Sequence, residues 1–243
     1  MAERFGSTGR CLRLEESDMR VLMLAAPGAG KGTQGGLIAQ HFGVPHIATG
    51  DLLRDHVLRE TDLGRQVRRF LDSGELVPDG IVLDMVREAL QAAKQDSGGY
   101  VLDGLPRTME QARVVYQMAV ELDMTADVAL YLQVGHDELI RRLLTRAKQQ
   151  GRSDDTEDVI RRRLTLYREV TAPILGWYES RGILVSVAAE RPVEEVTLEV
   201  MTALEVLQAV VGQVPDSDRR SIDLTGLDVA FGAASQQEPP RGT

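Results

Sequence analysis

Short apolar runs alternate along the chain with longer stretches whose apolar residues recur every three or four positions. The first run, residues 20–26 (RVLMLAA), ends in a glycine-rich turn and predicts a strand buried on both faces. A helix follows, carrying Leu37, Ile38 and Phe42. The stretch "VPHIATGD" predicts a short strand over 45–48 and a turn into a helix beginning near Asp51. Helical periods continue over 62–73 and 80–94, and an apolar run at 100–102 closes on Asp103-Gly104. A helix over 108–123 then precedes the strand "DVALYLQV". Helices over 136–148, 155–180 and 193–210 complete the pattern, with the strand "GILVSVAA" between the last two. Short strands alternating with longer helices mean βα units and a parallel sheet, hence a three-layer α/β fold.

Both ends depart from this rhythm. Residues 1–18 are polar and aperiodic, which predicts a disordered extension before a domain spanning 19–210. Residues 211–243 are rich in Pro, Gly, Ser and Gln, which predicts a disordered tail. Within it Ile222, Leu224, Leu227, Val229 and Phe231 form one apolar group with the makings of a small docking strand.

Composition narrows the function classes. Hydrophobic residues make up 43% and aromatics only 4%, so the core must rest on aliphatic side chains. A net charge of −9 weighs against nucleic-acid or membrane-surface binding. An anionic substrate would then require a local arginine cluster. The single cysteine, Cys11, rules out an intrachain disulfide and leaves no thiolate zinc site. The four histidines show no metal-ligand spacing. No apolar stretch reaches membrane-spanning length and the N-terminus lacks a secretory pattern, so a cytoplasmic location is expected.

The candidate chemistry begins in residues 21–36, "VLMLAAPGAGKGTQGG". The general phosphate-loop pattern is G-x-x-x-x-G-K-[ST]. Here Ala25 stands at the first glycine, and Gly32 follows Lys31 with the hydroxyl one place later at Thr33. The strand–turn–helix setting is nevertheless present. Gly28, Gly30 and Gly32 let backbone N–H groups converge on phosphate oxygens, at the positive end of the following helix. Lys31 would reach the outer phosphates and Thr33 would lie near a magnesium ion.

"PGAGKGTQ" resembles the loop of the nucleoside monophosphate kinases, the adenylate kinases above all, where Gly-Thr after the lysine is normal. Ala25 remains a departure, because that family usually has Gly. At a position of positive φ it would add roughly 1 kcal/mol of strain or more. At negative φ its methyl would only narrow the approach to phosphate. The resemblance implies a P-loop fold with a helical acceptor-binding subdomain (about 49–79) and a short lid (about 146–154). It assigns Gly28, Ala29, Gly30, Lys31, Gly32, Thr33 and Arg142 to ATP.

Further motifs extend the likeness over roughly residues 20–208. "ATGDLLR" resembles the AMP-binding segment and assigns Thr49, Gly50 and Arg54 to the acceptor. A guanidinium such as Arg54 grips phosphate bidentately. "LDSGELVPDGIV" resembles the segment in which Glu75, Leu76 and Val77 touch the adenine. "YVLDGLPRTMEQA" resembles the family's D-G-F-P-R-T-x-x-Q-A, with Leu105 in place of Phe. There Gly104 and Arg107 would contact AMP, Gln111 would read the base, and Asp103 would hold Mg²⁺ through water. In "ELIRRLLTRAKQQGRSDDTEDVIRRRL", Arg142 and Arg146 lie four apart on one helix face. The resemblance places Arg146, Arg152 and Arg163 on the transferring phosphates, with Lys31 and Arg107, as the catalytic set. The segment between Arg146 and Arg152 leaves no room for a further subdomain.

The implied reaction is reversible phosphoryl transfer from MgATP to AMP, giving two ADP, by a monomer without zinc. Relatives acting on UMP or CMP carry Ala at the Thr49 position and Asn near Gln111, so the pair here favours AMP. Two alternatives stay open: a kinase for UMP or CMP, and a weakly active nucleotide sensor acting through its tail.

Overall fold

Five strands form one sheet: β1 (Arg20–Leu24), β2 (His46–Ala48), β3 (Tyr100–Asp103), β4 (Val128–Gln133) and β5 (Leu184–Ala188). Their order across the sheet is β2-β3-β1-β4-β5, and every pairing is parallel. This computed structural model describes residues 18–150, 156–214, Arg219 and Leu224, with Gln150 described in its backbone alone. The expectations for residues 1–17, for Arg152 and the lid around it, and for the rest of the tail lie outside the described residues.

Successive residues of each strand enter opposite halves of the core, as the pleat requires. Val21 and Met23 of β1, Val128, Leu130 and Leu132 of β4, and Val185 and Val187 of β5 share one cluster with α1 (Lys31–Phe42). Leu22, Leu24, Leu102 and Ala129 face the other, beneath α4 (Asp79–Asp96) and α5 (Met109–Glu121). The strands are therefore apolar on both faces, and helices cover both. The three-layer α/β expectation is met. The low aromatic content has its counterpart in a core made chiefly of Val, Leu, Ile, Met and Ala.

The connection between β2 and β3 carries α2 (Thr49–Leu58) and α3 (Asp62–Ser73), packed on each other ahead of α4. Thr61 stops α2 from running into α3. Its Oγ1 accepts the Gly64 N–H at 3.0 Å, capping the new helix. After β4 come α6 (His136–Gln150) and α7 (Glu157–Leu166), and α9 (Val193–Val211) follows β5.

One predicted helix is three pieces. The period over 155–180 predicts a continuous helix, whereas α7 gives way to a π-helical turn at Tyr167–Thr171 and then α8 (Ile174–Glu179). Pro173 has no N–H to continue the ladder. The wider turn, closed by Ala172 N–H to Tyr167 O at 2.8 Å, brings Thr171 Oγ1 to donate to the Arg107 carbonyl at 2.8 Å. Trp177 of α8 is half-buried at the edge of the core against Tyr116 and Tyr178.

Two tail residues return to the domain at the N-terminal end of the sheet. Leu224 is 3% exposed, and its N–H donates to Gly182 O at 2.6 Å. Arg219 is 8% exposed and pairs with Asp18 at 2.6 Å, with Asp127 at 3.8 Å. Asp127 also accepts the Arg20 backbone N–H at 2.8 Å. Burial pushes its carboxyl up to about 6, against the opposing pull of that hydrogen bond and of Arg219 and Arg20. Because this exceeds the ordinary value of 3.8, ionising Asp127 costs stability as pH rises through that window. Arg219 offsets the cost where the carboxylate is charged. Arg219→Leu should therefore lower stability by about 2 kcal/mol, or roughly 4–8 °C in Tm. Thermal melts should show a larger loss at pH 8 than at pH 5, with turnover at 25 °C retained.

Candidate active site

Among the described residues, those predicted to handle phosphate come from segments that follow the C-terminal ends of the strands. A cleft of about 1040 Å³ opens there, with the turn after β1 as its floor. Gly28 takes φ 89°, a conformation that glycine alone adopts without strain. A Cβ at this position would also lie 2.8 Å from Leu143 Cγ of α6. The turn thus needs glycine for its path and for the close approach of a neighbouring helix.

Lys31, the first residue of α1, folds back over the loop. Its Nζ donates to Ala25 O at 2.8 Å and to Ala26 O at 3.3 Å. The departure at Ala25 has a simple outcome. Among the described residues only Glu60 and Asp123 are non-glycine with positive φ, so Ala25 carries no such strain. What the site takes from this position is its carbonyl, which any residue supplies. Desolvation lowers the Lys31 ammonium to about 8. Asp103 opposes the shift, while the charges of Arg107, Arg163 and Arg146 add to it.

A smaller pocket adjoins the cleft beneath α2 and α3, lined by Thr49, Glu75, Leu76, Val77 and Gln111. Thr49 is buried and its Oγ1 donates to Asp103 O at 3.2 Å. That bond holds the start of α2 against the end of β3. Gly104, at φ 90°, has no space for a Cβ, which would sit 2.4 Å from Thr49 Oγ1. Arg107 Nε donates to Gly104 O at 2.6 Å, and its guanidinium pKa is lowered, first by burial. Gln111, 2% exposed, accepts the Arg107 backbone N–H at 2.7 Å and donates to Asp79 at 2.6 Å. Arg54 pairs with Asp51 at 2.5 Å. Arg54, Arg107 and Arg163 line both cavities and form the wall between them.

On the far side of the cleft, Arg142 and Arg146 of α6 face in as their four-residue spacing predicts. Glu138 holds two guanidiniums, Arg142 at 2.6 Å and Arg141 at 2.6 Å, and these bonds keep its carboxyl down at about 2. Gly30, Gly32, Thr33, Gly50, Asp103 and Gly104 also line the cleft. Ala29 is buried behind the loop and does not. Arg152 lies outside the described residues.

Several cleft residues escaped the sequence reading. Glu138 was legible as the i−4 partner of Arg142. Arg191, after β5, also lines the cleft, as does Glu190, whose Oε1 accepts Gly135 N–H at 2.5 Å. Their only signal was position after a strand, where α/β sheets bind ligands. Asp79, which lines neither cavity but holds Gln111, had no local signal, because the two meet across 32 residues.

Fold and site together define a P-loop nucleotide-binding protein with two adjoining pockets that share an arginine wall. A profile of the adenylate kinase family matches residues 23–183. An adenylate kinase of Kocuria rhizophila is 47% identical over 186 residues, covering 76% of this chain and 98% of the relative. One from Thermobifida fusca is 46% identical over 188 residues, covering 77% and 98%. One from Thermus thermophilus is 42% identical over 186 residues, covering 76% and 97%. The chain belongs to the adenylate kinase family.

The lowered Lys31 value makes a measurable demand. Bound phosphates should restore its charge and raise it towards the ordinary 10.5. Nucleotide binding near pH 8 should then take up about half a proton, and almost none at pH 6.5, where Lys31 is already charged. Calorimetry in buffers of different ionisation heat measures this, and Lys31→Ala should abolish the uptake.

Proposed function

We propose that this chain catalyses reversible phosphoryl transfer from MgATP to AMP, giving two ADP. The observation that carries the reading is the shared wall: Arg54, Arg107 and Arg163 border both the loop-floored cleft and the smaller pocket. ATP occupies the cleft with its phosphates over Gly28–Lys31, and AMP occupies the pocket against Thr49 and Gln111. The two reacting phosphates then meet at cations that either nucleotide alone would engage only in part.

The acceptor phosphate is already an anionic nucleophile, so no general base is required. Catalysis rests on alignment and on neutralising charge as it develops. Lys31 and Arg146 approach the donor phosphates, Arg54 grips the acceptor phosphate, and Arg107 and Arg163 face the gap between them. Arg152 belongs to the same set by its place in the lid motif. Closure of the short lid and the acceptor subdomain would exclude water, limiting hydrolysis of ATP. Arg142, held by Glu138, would meet the ATP base and phosphates.

Thr33 and Asp103 fit a magnesium ion. Both are oxygen donors lining the cleft beside Lys31, and among the described residues no group of three His, Cys, Asp or Glu forms a dedicated cage. Mg²⁺ bound there, with Asp103 acting through water, would share phosphate charge with the cationic side chains. The described lining of both cavities comes from one chain, in keeping with a monomeric enzyme. No helix among the described residues is long and apolar enough to cross a membrane.

ADP formation from ATP with AMP, CMP, UMP or GMP tests the reading. AMP should be the best acceptor, and Lys31→Ala should reduce kcat/KM by roughly 10²–10³-fold. Background turnover with every acceptor, despite tight ATP binding, would overturn it in favour of a nucleotide sensor. Efficient turnover with CMP or UMP alone would overturn the acceptor assignment.

A further inference from the structure

We propose that Asp79 is a positioning residue for base specificity: together with the Arg107 backbone N–H it dictates which end of the Gln111 amide donates and which accepts in the acceptor pocket. The inference rests on the reading of that pocket as the AMP site. Gln111 lies in the first turn of α5, almost wholly buried, and lines the pocket. Its Oε1 accepts from Arg107 N–H at 2.7 Å, and its Nε2 donates to Asp79 Oδ1 at 2.6 Å.

Neither partner tolerates the opposite arrangement. A backbone N–H only donates, and an ionised carboxylate only accepts. A flipped amide would set oxygen against oxygen at Asp79 and N–H against N–H at Arg107, around a Gln111 side chain that is itself almost wholly buried. The amide is thereby held in one orientation. It retains one N–H and one oxygen lone pair beyond those two bonds, and a purine edge can use both.

Orientation is what distinguishes the purines. A 6-aminopurine offers an N–H donor at its 6-substituent and an acceptor at N1. A 6-oxopurine offers the reverse, an acceptor at the 6-position and a donor at N1. A freely flipping amide would read both equally well. An amide held by Asp79 reads only one order from a given seat of the base, and the AMP assignment of the pocket makes that order the 6-amino one. Asp79 touches neither substrate in this scheme; it acts through Gln111.

Asp79 is also the first residue of α4, where an acidic side chain favours the helix. The test therefore separates the two roles. Wild type, Asp79→Ala and Asp79→Asn are compared at saturating ATP with AMP or IMP varied, alongside KM for ATP and thermal melts. Asp79→Ala should raise KM for AMP about tenfold, as expected for one lost hydrogen bond to a charged partner. It should leave kcat and KM for ATP within about twofold and cut the AMP-over-IMP ratio of kcat/KM at least about fivefold. Asp79→Asn, whose side-chain oxygen still accepts, should recover most of the AMP KM. A folded Asp79→Ala protein with unchanged AMP KM and unchanged AMP-over-IMP ratio overturns the proposal. So does a parallel rise in both KM values with a fall in Tm, which would make Asp79 structural only. Exchange of the Gln111 side-chain amide protons, followed by NMR in the substrate-free protein, judges the lock separately from activity. Slow exchange in wild type and fast exchange in Asp79→Ala supports it, and equal rates overturn it. Should wild type fail to use AMP at all, the functional reading falls while this measurement still decides the lock.

Discussion

Cations held together against their mutual repulsion set the terms for the rest of this structure. Lys31, Arg54, Arg107, Arg146 and Arg163 border one cleft in a chain whose net charge is −9. The strain is visible at Lys31, whose proton affinity falls through burial and through three of those arginines. Backbone carbonyls do much of the holding. Lys31 donates to Ala25 and Ala26, and Arg107 to Gly104. A carbonyl orients a cation without cancelling its charge, so the positive field remains available to phosphate. Carboxylates act as well: Asp103 faces Lys31 and Arg107 within the cleft, Asp51 pairs with Arg54 and Glu138 with Arg142.

The parallel sheet makes this arrangement possible. Every strand points the same way, so every loop that carries chemistry emerges on one side. β1 delivers the glycine turn, β2 the start of α2, and β3 Asp103 and Gly104. Positive-φ glycines let these loops come close, as where Gly104 meets Thr49. The π turn before α8 contributes from farther along the chain, fastening the Arg107 backbone through Thr171. At the opposite end of the strands Asp127 and Arg219 form a second charged cluster, remote from phosphate and tied to the tail.

Much of the architecture was legible in the chain, because strand and helix periods are local properties. The breaks were less so. The helix predicted over 155–180 is interrupted at a π turn whose geometry is held partly by Arg107, 64 residues away. The candidate site divided in the same way. Lys31, Thr49, Arg107 and Gln111 announce themselves in motifs, since each sits in a turn of fixed length. Asp79, Arg191 and Arg219 carry no such mark; each matters through a neighbour distant in sequence.

The sequence by itself determined an α/β chain with a glycine-rich loop after its first strand and a run of arginines, since these follow from periodicity and short spacing; the acceptor segment was implied by family resemblance. Family resemblance added the expectation that Gly32-Thr33 is normal for such a loop. Only the tertiary structure decided that Ala25 is unstrained, because that depends on a dihedral angle. Only the structure joined Gln111 to Asp79 and placed Arg54, Arg107 and Arg163 in one wall between two pockets. Such relations arise when distant segments are brought within hydrogen-bonding distance, and no local pattern encodes them.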